Sequence, residues 1–298
     1  QDLSIPDLFV SGDLDVDGTA NLDAVDVDGT VNFAADVTFA DGADIITASA
    51  GTDNVRIGAT AGDSIQSGGN YNTLVGTNAG TAITTGDENT ALGYTALQAS
   101  DTASQNVAIG KAALLADTKG AQSVAVGANT LQSQNFTTAT NTFNVAVGYF
   151  AGQQVTTATR SVLIGGQSGD ALTTGSRNNV IGYNALGSDT LGARATALGY
   201  GALQSQNFTT ATENYNVALG YNAGGSVTTG VQNTFVGALT GDSLTDADSN
   251  IAIGYASLTA DTLGSKSVAI GAGTLESQNF STATDSYNTA VGHTAGGS

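Results

Sequence analysis

The chain has 298 residues with 40 glycines, one proline and no cysteine, methionine or tryptophan, and its net charge is −19. Valine, isoleucine and leucine occur throughout, which indicates a folded core because disordered chains are poor in them. The negative charge argues against binding to nucleic acid and against attachment to anionic membranes. The absence of cysteine excludes disulfides and thiolate metal sites, and no apolar run approaches the ~18 residues of a membrane span.

Residues 1–52 form a first predicted segment, in which acidic and apolar residues alternate. Eleven of the 26 acidic residues lie in residues 1–50, which contain no lysine or arginine. The stretch "GDLDVDGTANLDAVDVDGTVNF" has Asp-Gly pairs at residues 17–18 and 28–29, and such pairs are typical of tight turns between strands. We expect short strands with one apolar and one acidic face. Because one copy buries little apolar surface, we expect the segment to be intertwined with partner chains.

Within this segment, "DLDVDG" matches the first half of a calcium-binding loop, with Asp13, Asp15 and Asp17 at alternate positions. Such a loop carries a glutamate at its twelfth position, and Ala24 stands there instead. The alternation of the acids with apolar residues favours a solvated strand face. No metal site is therefore expected.

Residues 53–298 form a second predicted segment, built on a glycine that follows an aliphatic residue, as in "VAIG" and "TALG". Counted along the sequence, the step between successive copies of this repeat glycine is 18 once, and then 17, 17, 17 and 21, three times over. Each such group of four steps is a 72-residue unit. The repeat glycines are Gly58, Gly76, Gly93, Gly110, Gly127, Gly148, Gly165, Gly182, Gly199, Gly220, Gly237, Gly254, Gly271 and Gly292.

The residues before each repeat glycine alternate in character. The residue directly before it is Ile, Val or Leu in all 14 copies, and the residue three before it is Val, Ile or Thr in 13, with Asn179 as the exception. These two positions share one face of a strand, and we expect that aliphatic face to form the core. Alanine lies between them in nine copies, for example Ala108 and Ala125. We expect the alanine face to pack closely against another surface, and its burial between chains is a hypothesis.

Asparagine recurs four residues before the repeat glycine in ten copies. Asparagine tolerates left-handed backbone and forms hydrogen bonds with its neighbours at corners. Stacked coils would therefore align these residues into a structural ladder. The residues are Asn54, Asn72, Asn89, Asn106, Asn144, Asn178, Asn216, Asn233, Asn250 and Asn288.

The 21-residue step contains the peptide "LQSQNFTTAT", which begins at Leu131 and Leu203 and returns as "LESQNFSTAT" at Leu275. We expect its copies to stack on one side of a rod, four coils apart. The central phenylalanine of each copy is a candidate loop contact. It either packs the loop down, which is the interpretation that we favour, or contacts a neighbouring chain or a receptor. These residues are Phe136, Phe208 and Phe280.

The repeat predicts the fold. A 17-residue coil accommodates two short strands and two turns at ~3.3 Å per residue. Stacked coils form long parallel sheets around a continuous core, and the period-2 alternation and frequent glycine argue against helix. The sequence therefore predicts an all-β fold: a parallel β-roll or β-solenoid of about 14 coils, with a 17/17/17/21-residue repeat, preceded by the short-stranded segment.

The unit "NVAIG" followed by small residues resembles the head repeats of trimeric autotransporter adhesins, whose repeat is shorter than the coils of this chain. The fuller pattern "NVALGYNAGGSVTTG" looks more like the repeats of bacteriophage tail fibres, and "LDVDGTANLDAVDVDGT" is similar to segments in tail fibres of marine phages. This resemblance implies an extracellular, structural virion protein that forms a homotrimeric rod for host attachment. Its partners would be other fibre or tail proteins and a host surface glycan or receptor. The alternative is the head of a bacterial trimeric adhesin.

The same resemblance implies that the chain is a processed or truncated piece, since such fibres often end in a chaperone domain that is cut away. The chain begins at Gln1 and ends within a repeat, which agrees with this expectation.

A polysaccharide depolymerase is the less favoured alternative. It needs two carboxylates at a defined separation, and the only glutamates are Glu88, Glu213 and Glu276. Glu276 stands where the other copies of the loop peptide carry glutamine. His293, the only histidine, stands where six other copies carry tyrosine, so we interpret it as a replacement for an aromatic side chain. We expect no enzyme activity, no cofactor and no metal site.

Overall fold

A computed structural model describes residues 49–297 of the chain. The predictions for residues 1–52, including the strands, the Asp-Gly turns and the acids of "DLDVDG", fall almost entirely outside the described residues and stay predictions.

The described residues form 20 short strands and contain no helix. In chain order the strands are β1 (Val55–Ile57), β2 (Thr73–Val75), β3 (Thr90–Leu92), β4 (Val107–Ile109), β5 (Gly120–Ala121), β6 (Val124–Val126), β7 (Thr140–Asn141), β8 (Val145–Val147), β9 (Val162–Ile164), β10 (Asn179–Ile181), β11 (Gly192–Ala193), β12 (Thr196–Leu198), β13 (Thr212–Glu213), β14 (Val217–Leu219), β15 (Thr234–Val236), β16 (Ile251–Ile253), β17 (Gly264–Ser265), β18 (Val268–Ile270), β19 (Thr284–Asp285) and β20 (Thr289–Val291).

Fourteen of these strands, each directly before a repeat glycine, form one parallel sheet in chain order. The pairing is in register with the repeat, so that Val107 of β4 pairs with Val124 of β6 and Ala108 pairs with Ala125. Each coil thus contributes one strand, and the fold is the predicted β-solenoid. The remaining strands form three two-stranded pairs, β5 with β7, β11 with β13 and β17 with β19, and each pair lies at a 21-residue step.

The prediction of which sheet face forms the core is wrong. The middle residue of each strand points inward: Ala108 and Ala125 are fully buried within a single chain. The flanking aliphatic residues, such as Val107 and Ile109, are only half-buried and point outward. The hypothesis that the alanine face is buried between chains is therefore wrong as well. The physical reason is volume, since a 17-residue coil encloses too little space for bulky side chains in every strand.

Two columns of residues fill the interior, and in most coils a large side chain in one column is accompanied by a small residue in the other. One column is the middle strand residue, and the other is the fourth residue after the repeat glycine. Where the middle residue is alanine, six of nine coils carry leucine in the second column, as in Ala108 and Leu114, both fully buried. Where it is large, glycines make room. The Phe235 ring lies beside Gly224 and Gly241, where added Cβ atoms would come within 2.7 and 2.4 Å of it.

The repeat glycine is required by the stacking of the backbone. Gly110 has a φ of +124°, and a Cβ added there would lie 2.6 Å from the carbonyl carbon and oxygen of Gly127 in the next coil. Any side chain at this position would both strain the backbone and push the two coils apart.

The predicted asparagines lie at the corner before each strand, and nine of the ten are buried. Oδ1 of Asn72 accepts a hydrogen bond from the backbone N–H of Asn89 in the next coil (3.0 Å), and its Nδ2 donates to the carbonyl of Gly86 (2.9 Å). The pattern repeats along the sheet, for example from Asn89 to the N–H of Asn106. Asn288, in the last described coil, is exposed. The amide groups thus satisfy buried backbone groups that the turn leaves unpaired.

A buried carboxylate organises each 21-residue loop. Oδ1 of Asp189 accepts hydrogen bonds from the backbone N–H groups of Gly192 (2.9 Å) and Phe208 (3.2 Å). Its Oδ2 accepts one from Nε2 of Gln206 (2.6 Å), whose Oε1 in turn accepts one from Nδ2 of Asn216 (2.8 Å). Burial raises the pKa of the Asp189 carboxyl, and these hydrogen bonds oppose that shift. The loop peptide is therefore connected to the asparagine column through its second glutamine.

The same arrangement occurs in the other two copies of the loop. Asp117 accepts from Gln134, and Asp261 accepts from Gln278. These aspartates are buried in the structure and were not singled out in the sequence analysis. The signal was present, because each aspartate precedes its glutamine by the length of one coil.

Candidate interaction surface

The outward face of the 14-stranded sheet is apolar along its centre. It consists of the residues one and three before each repeat glycine, which alternate with the buried middle residue. Most of them are half-buried, because each packs only against its equivalents in the coils above and below. The large side chains that remain more exposed are Val55, Ile57, Leu92, Ile181, Leu198, Ile251 and Val291.

Two further columns flank this centre. They are the residues five before and one after the repeat glycine, which lie at the turns on either side of each strand and are largely exposed. The residue after the glycine is tyrosine in six coils, and each of these rings is more than half exposed. They are Tyr94, Tyr149, Tyr183, Tyr200, Tyr221 and Tyr255. His293 occupies the same position in the last described coil and is exposed.

The residue five before the glycine is mostly polar or charged. It adopts left-handed backbone in every coil, for example at Arg160 (φ 60°) and Arg177 (φ 62°). Acidic, amide, basic and aromatic side chains all occur in this column. The name outward face includes the aliphatic centre and both flanking columns.

The outward face is large enough for a stable interface between proteins. Fourteen strands about 4.8 Å apart span roughly 65 Å, and the three residues of each strand span about 10 Å. The aliphatic centre alone therefore covers on the order of 650 Å², and the flanking columns bring the face to about the 800 Å² that a standard protein–protein interface uses on each partner. Contiguous apolar patches of this kind are rare on monomeric proteins and mark sites of interaction.

Two mixed charged and aromatic clusters lie at one edge of the outward face. Arg194 Nε is 2.8 Å from Oε1 of Glu213, and its guanidinium lies over the Tyr215 ring, 5.5 Å from the centroid. The hydroxyl of Tyr215 donates a hydrogen bond to Glu213 and, together with Arg194, lowers the pKa of that carboxyl.

The second cluster repeats this arrangement one 72-residue unit later. Lys266 Nζ is 2.6 Å from Oδ2 of Asp285 and lies 5.2 Å from the centre of the Tyr287 ring. The ammonium group lowers the pKa of the Asp285 carboxyl. Both clusters are exposed, and each pairs a cation with an acid from the following coil.

The two sets of aromatic residues at the 21-residue loop have different surroundings. Phe136 and Phe208 are buried within their own chain, at 7% and 5% exposure. Phe280 is partly buried, and its ring covers Gly264. By contrast Phe143 and Tyr215, which precede the next strand, are about half exposed. The loop phenylalanines thus pack the loop onto the solenoid, and the later aromatics belong to the outward face.

The residues considered for catalysis or metal binding do not come together. Glu88 and Glu213 lie seven coils apart on the exposed surface, and Glu276 lies in a loop. Within residues 49–297 no group of three or more His, Asp or Glu side chains is arranged to hold a metal ion. The part of the chain that the structure describes contains no helix that could cross a membrane.

Comparisons of this chain with protein-family models, with curated proteins and with solved structures found no match.

Proposed function

We propose that this chain is a structural segment of a bacteriophage tail fibre, in which three copies associate through their outward faces to form a rod that serves host attachment. The observation that carries the proposal is the outward face itself. It is apolar along its centre, extends over all 14 strands and is left uncovered by the chain's own residues 49–297.

A second copy of the same chain is the partner that fits this face best. The face repeats with every strand, about every 4.8 Å, and an identical face has the same period along its whole length. Its area is comparable to what a standard interface uses on each partner. A closed ring of parallel copies would place the aliphatic columns on the axis and leave the 21-residue loops accessible. The resemblance of the repeats to fibre proteins supports three copies and a virion location.

Sedimentation equilibrium of the full chain tests the assembly. We expect a species of three times the 29.4 kDa chain mass, stable on dilution. Val107→Arg combined with Ile109→Arg places charges on the outward face without touching the interior, and we expect this variant to remain folded and to sediment as a monomer. A wild-type chain that is monomeric at micromolar concentration would contradict the proposal.

Immunoelectron microscopy tests the biological role. Antibodies raised against the purified chain should label tail appendages of virions in the source culture. Label on the bacterial cell surface instead would contradict the tail-fibre assignment and favour the adhesin alternative.

A further inference from the structure

The two edges of the outward face differ in chemistry. The arginine edge is the column five residues before the repeat glycine, in which Arg160, Arg177 and Arg194 occupy three successive coils. The tyrosine edge is the column directly after the repeat glycine, in which Tyr183 and Tyr200 follow Arg177 and Arg194 in the same two coils. A strand and the turn on either side of it separate the two edges within one chain.

Two of the three arginines have no hydrogen-bonded partner among residues 49–297, although the charge of Arg177 contributes to lowering the pKa of the Glu213 carboxyl. Arg194 is paired with Glu213, whereas Arg160 and Arg177 make no ion pair and no side-chain hydrogen bond within residues 49–297. Both are exposed, and they lie about 4.8 Å apart along the sheet. Stacked like charges repel each other, so this arrangement is unfavourable in an isolated chain.

Other residues of the arginine edge do find partners in their own column. Nε2 of Gln105 donates a hydrogen bond to Glu88 (2.9 Å), and Nε2 of Gln122 donates one to Gln105 (2.9 Å). The backbone conformation does not favour arginine at these positions either. The φ of Arg177 is 62°, and glycine or asparagine adopts this conformation more readily. These two guanidinium groups are therefore available to a partner outside residues 49–297.

The tyrosine edge presents a suitable partner for a guanidinium group. The rings of Tyr183, Tyr200 and Tyr221 stack along three successive coils, with centroids 5.6 and 5.5 Å apart. They are about half exposed, so a cation can approach them from outside. The one cation of this edge is Lys111, which is exposed and forms no ion pair within the described residues.

Cyclic symmetry brings the two edges together. In a closed ring of parallel copies, which is the assembly of the proposed function, every contact is heterologous: one edge of each chain meets the opposite edge of the next at the same height. Arg177 then faces Tyr183 of the neighbouring copy, because both lie in the coil of Gly182. Glu88 lies one coil below Lys111 of that neighbour, within reach of its long side chain.

We propose that the arginine edge of one copy binds the tyrosine edge of the next, and that this pairing closes the trimer and sets its register. Arg177 contacts the Tyr183 ring of the neighbour. Arg160 lies opposite Gly166 and reaches the tyrosine rings one coil above or below it. Glu88 pairs with Lys111 of the neighbour. The inference rests on the proposed function, since it names the contacts by which the assembled copies meet.

A charge swap between Glu88 and Lys111 tests the pairing. Glu88 and Lys111 form no ion pair within the described residues, because a strand lies between their columns, so their pairing is expected only across copies. Glu88→Lys and Lys111→Glu should each raise the dissociation constant of the trimer about tenfold, because like charges then meet. The double variant should return to within about threefold of the wild type.

Removal of the arginines tests the aromatic contact. Arg160→Gln combined with Arg177→Gln should raise the trimer dissociation constant at least about tenfold and leave the circular dichroism spectrum unchanged. Lys119→Gln, which removes a cation outside the two edges, is the matched control and should leave the constant unchanged.

The outcomes separate the inference from the function that it rests on. A monomeric wild-type chain would overturn both. Two results would overturn the pairing of the edges alone. One is a stable trimer whose dissociation constant does not change in the Glu88 and Lys111 single variants. The other is a double variant whose loss of trimer affinity equals the sum of the two single losses.

Discussion

The two faces of the main sheet contain residues that neighbour one another in the chain, yet they have opposite surroundings. The inward face has alanine in most strands and is fully buried, whereas the outward face has valine, isoleucine, leucine and threonine and is half exposed. Ordinary globular proteins place the bulkier apolar face inside. Here the narrow coil reverses the order, which teaches that hydrophobic size alone does not identify the interior of a solenoid.

The difference also teaches where bulky residues are tolerated inside. Phe235 occupies an inward position because glycines at residues 224 and 241 make room for its ring. The outward face has no such compensation and carries bulky residues in every coil, which agrees with the proposal that further copies of the chain cover it.

The largest expected effect distinguishes the inward face from the outward face through substitutions at two adjacent residues of β4. Ala108→Arg places a charge in the closed interior and should cost about 4 kcal/mol or more of folding free energy. Val107→Arg lies on the outward face and should leave the fold intact and abolish self-association. Thermal melts by circular dichroism, together with sedimentation, distinguish the two. An Ala108→Arg chain that folds normally and loses only its oligomeric state would show that the inward assignment is wrong.

The next effect concerns volume inside the coil. Phe235→Ala leaves a cavity and should cost about 3–5 kcal/mol. Gly241→Leu alone should also destabilise the chain, because its Cβ would lie 2.4 Å from the Phe235 ring. The two changes together recreate the Ala108 and Leu114 arrangement, in which leucine already adopts a φ of 50°. We therefore expect the double variant, in chemical denaturation, to recover much of the lost free energy.

A failure of that rescue would contradict the exchange of volume between the two interior columns. Adding Gly224→Leu fills the remaining space in the preceding coil and should raise the stability further.

A smaller effect concerns the polar part of the interior. Gln206→Ala removes the amide that joins Asp189 to Asn216, so each of these two buried groups loses one hydrogen bond, while Asp189 keeps its backbone donors and Asn216 keeps the Gly230 carbonyl. The expected loss is about 1–3 kcal/mol. Gln204→Ala, in the same loop but outside this network, is the control and should change the free energy of unfolding by less than about 0.5 kcal/mol. Equal losses for both variants would exclude a specific role of the network.

The smallest effect contrasts an acid inside the solenoid with one outside. Burial raises the pKa of Asp189 above its ordinary 3.8, so its contribution to stability is largest below that value and declines as pH rises through the raised pKa. Lys266 lowers the pKa of Asp285, so its contribution is present above 3.8 and is lost as pH falls through the lowered pKa.

Melting temperatures of Asp189→Asn and Asp285→Asn, measured from about pH 3 to 7, test these opposite signs. The advantage of the wild type over the first variant should shrink as pH rises, and its advantage over the second should grow. Parallel curves for the two variants would contradict the contrast.

The sequence was sufficient to predict the solenoid, because the spacing of the repeat glycines is an arithmetic property of the chain. The parallel stacking, the number of coils and the position of the longer coils all follow from that spacing. The expectation of two strands in every coil was wrong, because outside the main sheet strands form only at the three 21-residue steps. Alternation with period 2 also showed that Ala108 and Val107 lie on different faces. It could not show which face is inside, because that depends on the width of the coil.

The polar interior was harder to predict for a different reason. Asp189 and Gln206 are ordinary surface residues by type, and only their positions one coil apart bring them together. The outward face as a candidate interface was missed because its aliphatic residues had been assigned to the core. The arginine edge was missed because its residues vary from coil to coil and form no motif.

The 72-residue unit has a consequence for the gene as well as for the protein. The identical peptides at Leu131 and Leu203 are 72 codons apart, so recombination between their coding sequences removes or adds a whole number of codons. The product would lose or gain four complete coils, about 19 Å of sheet, and each new junction would contain neighbours that already occur in the chain. The length of the solenoid can therefore change in fixed increments without any new contact having to evolve.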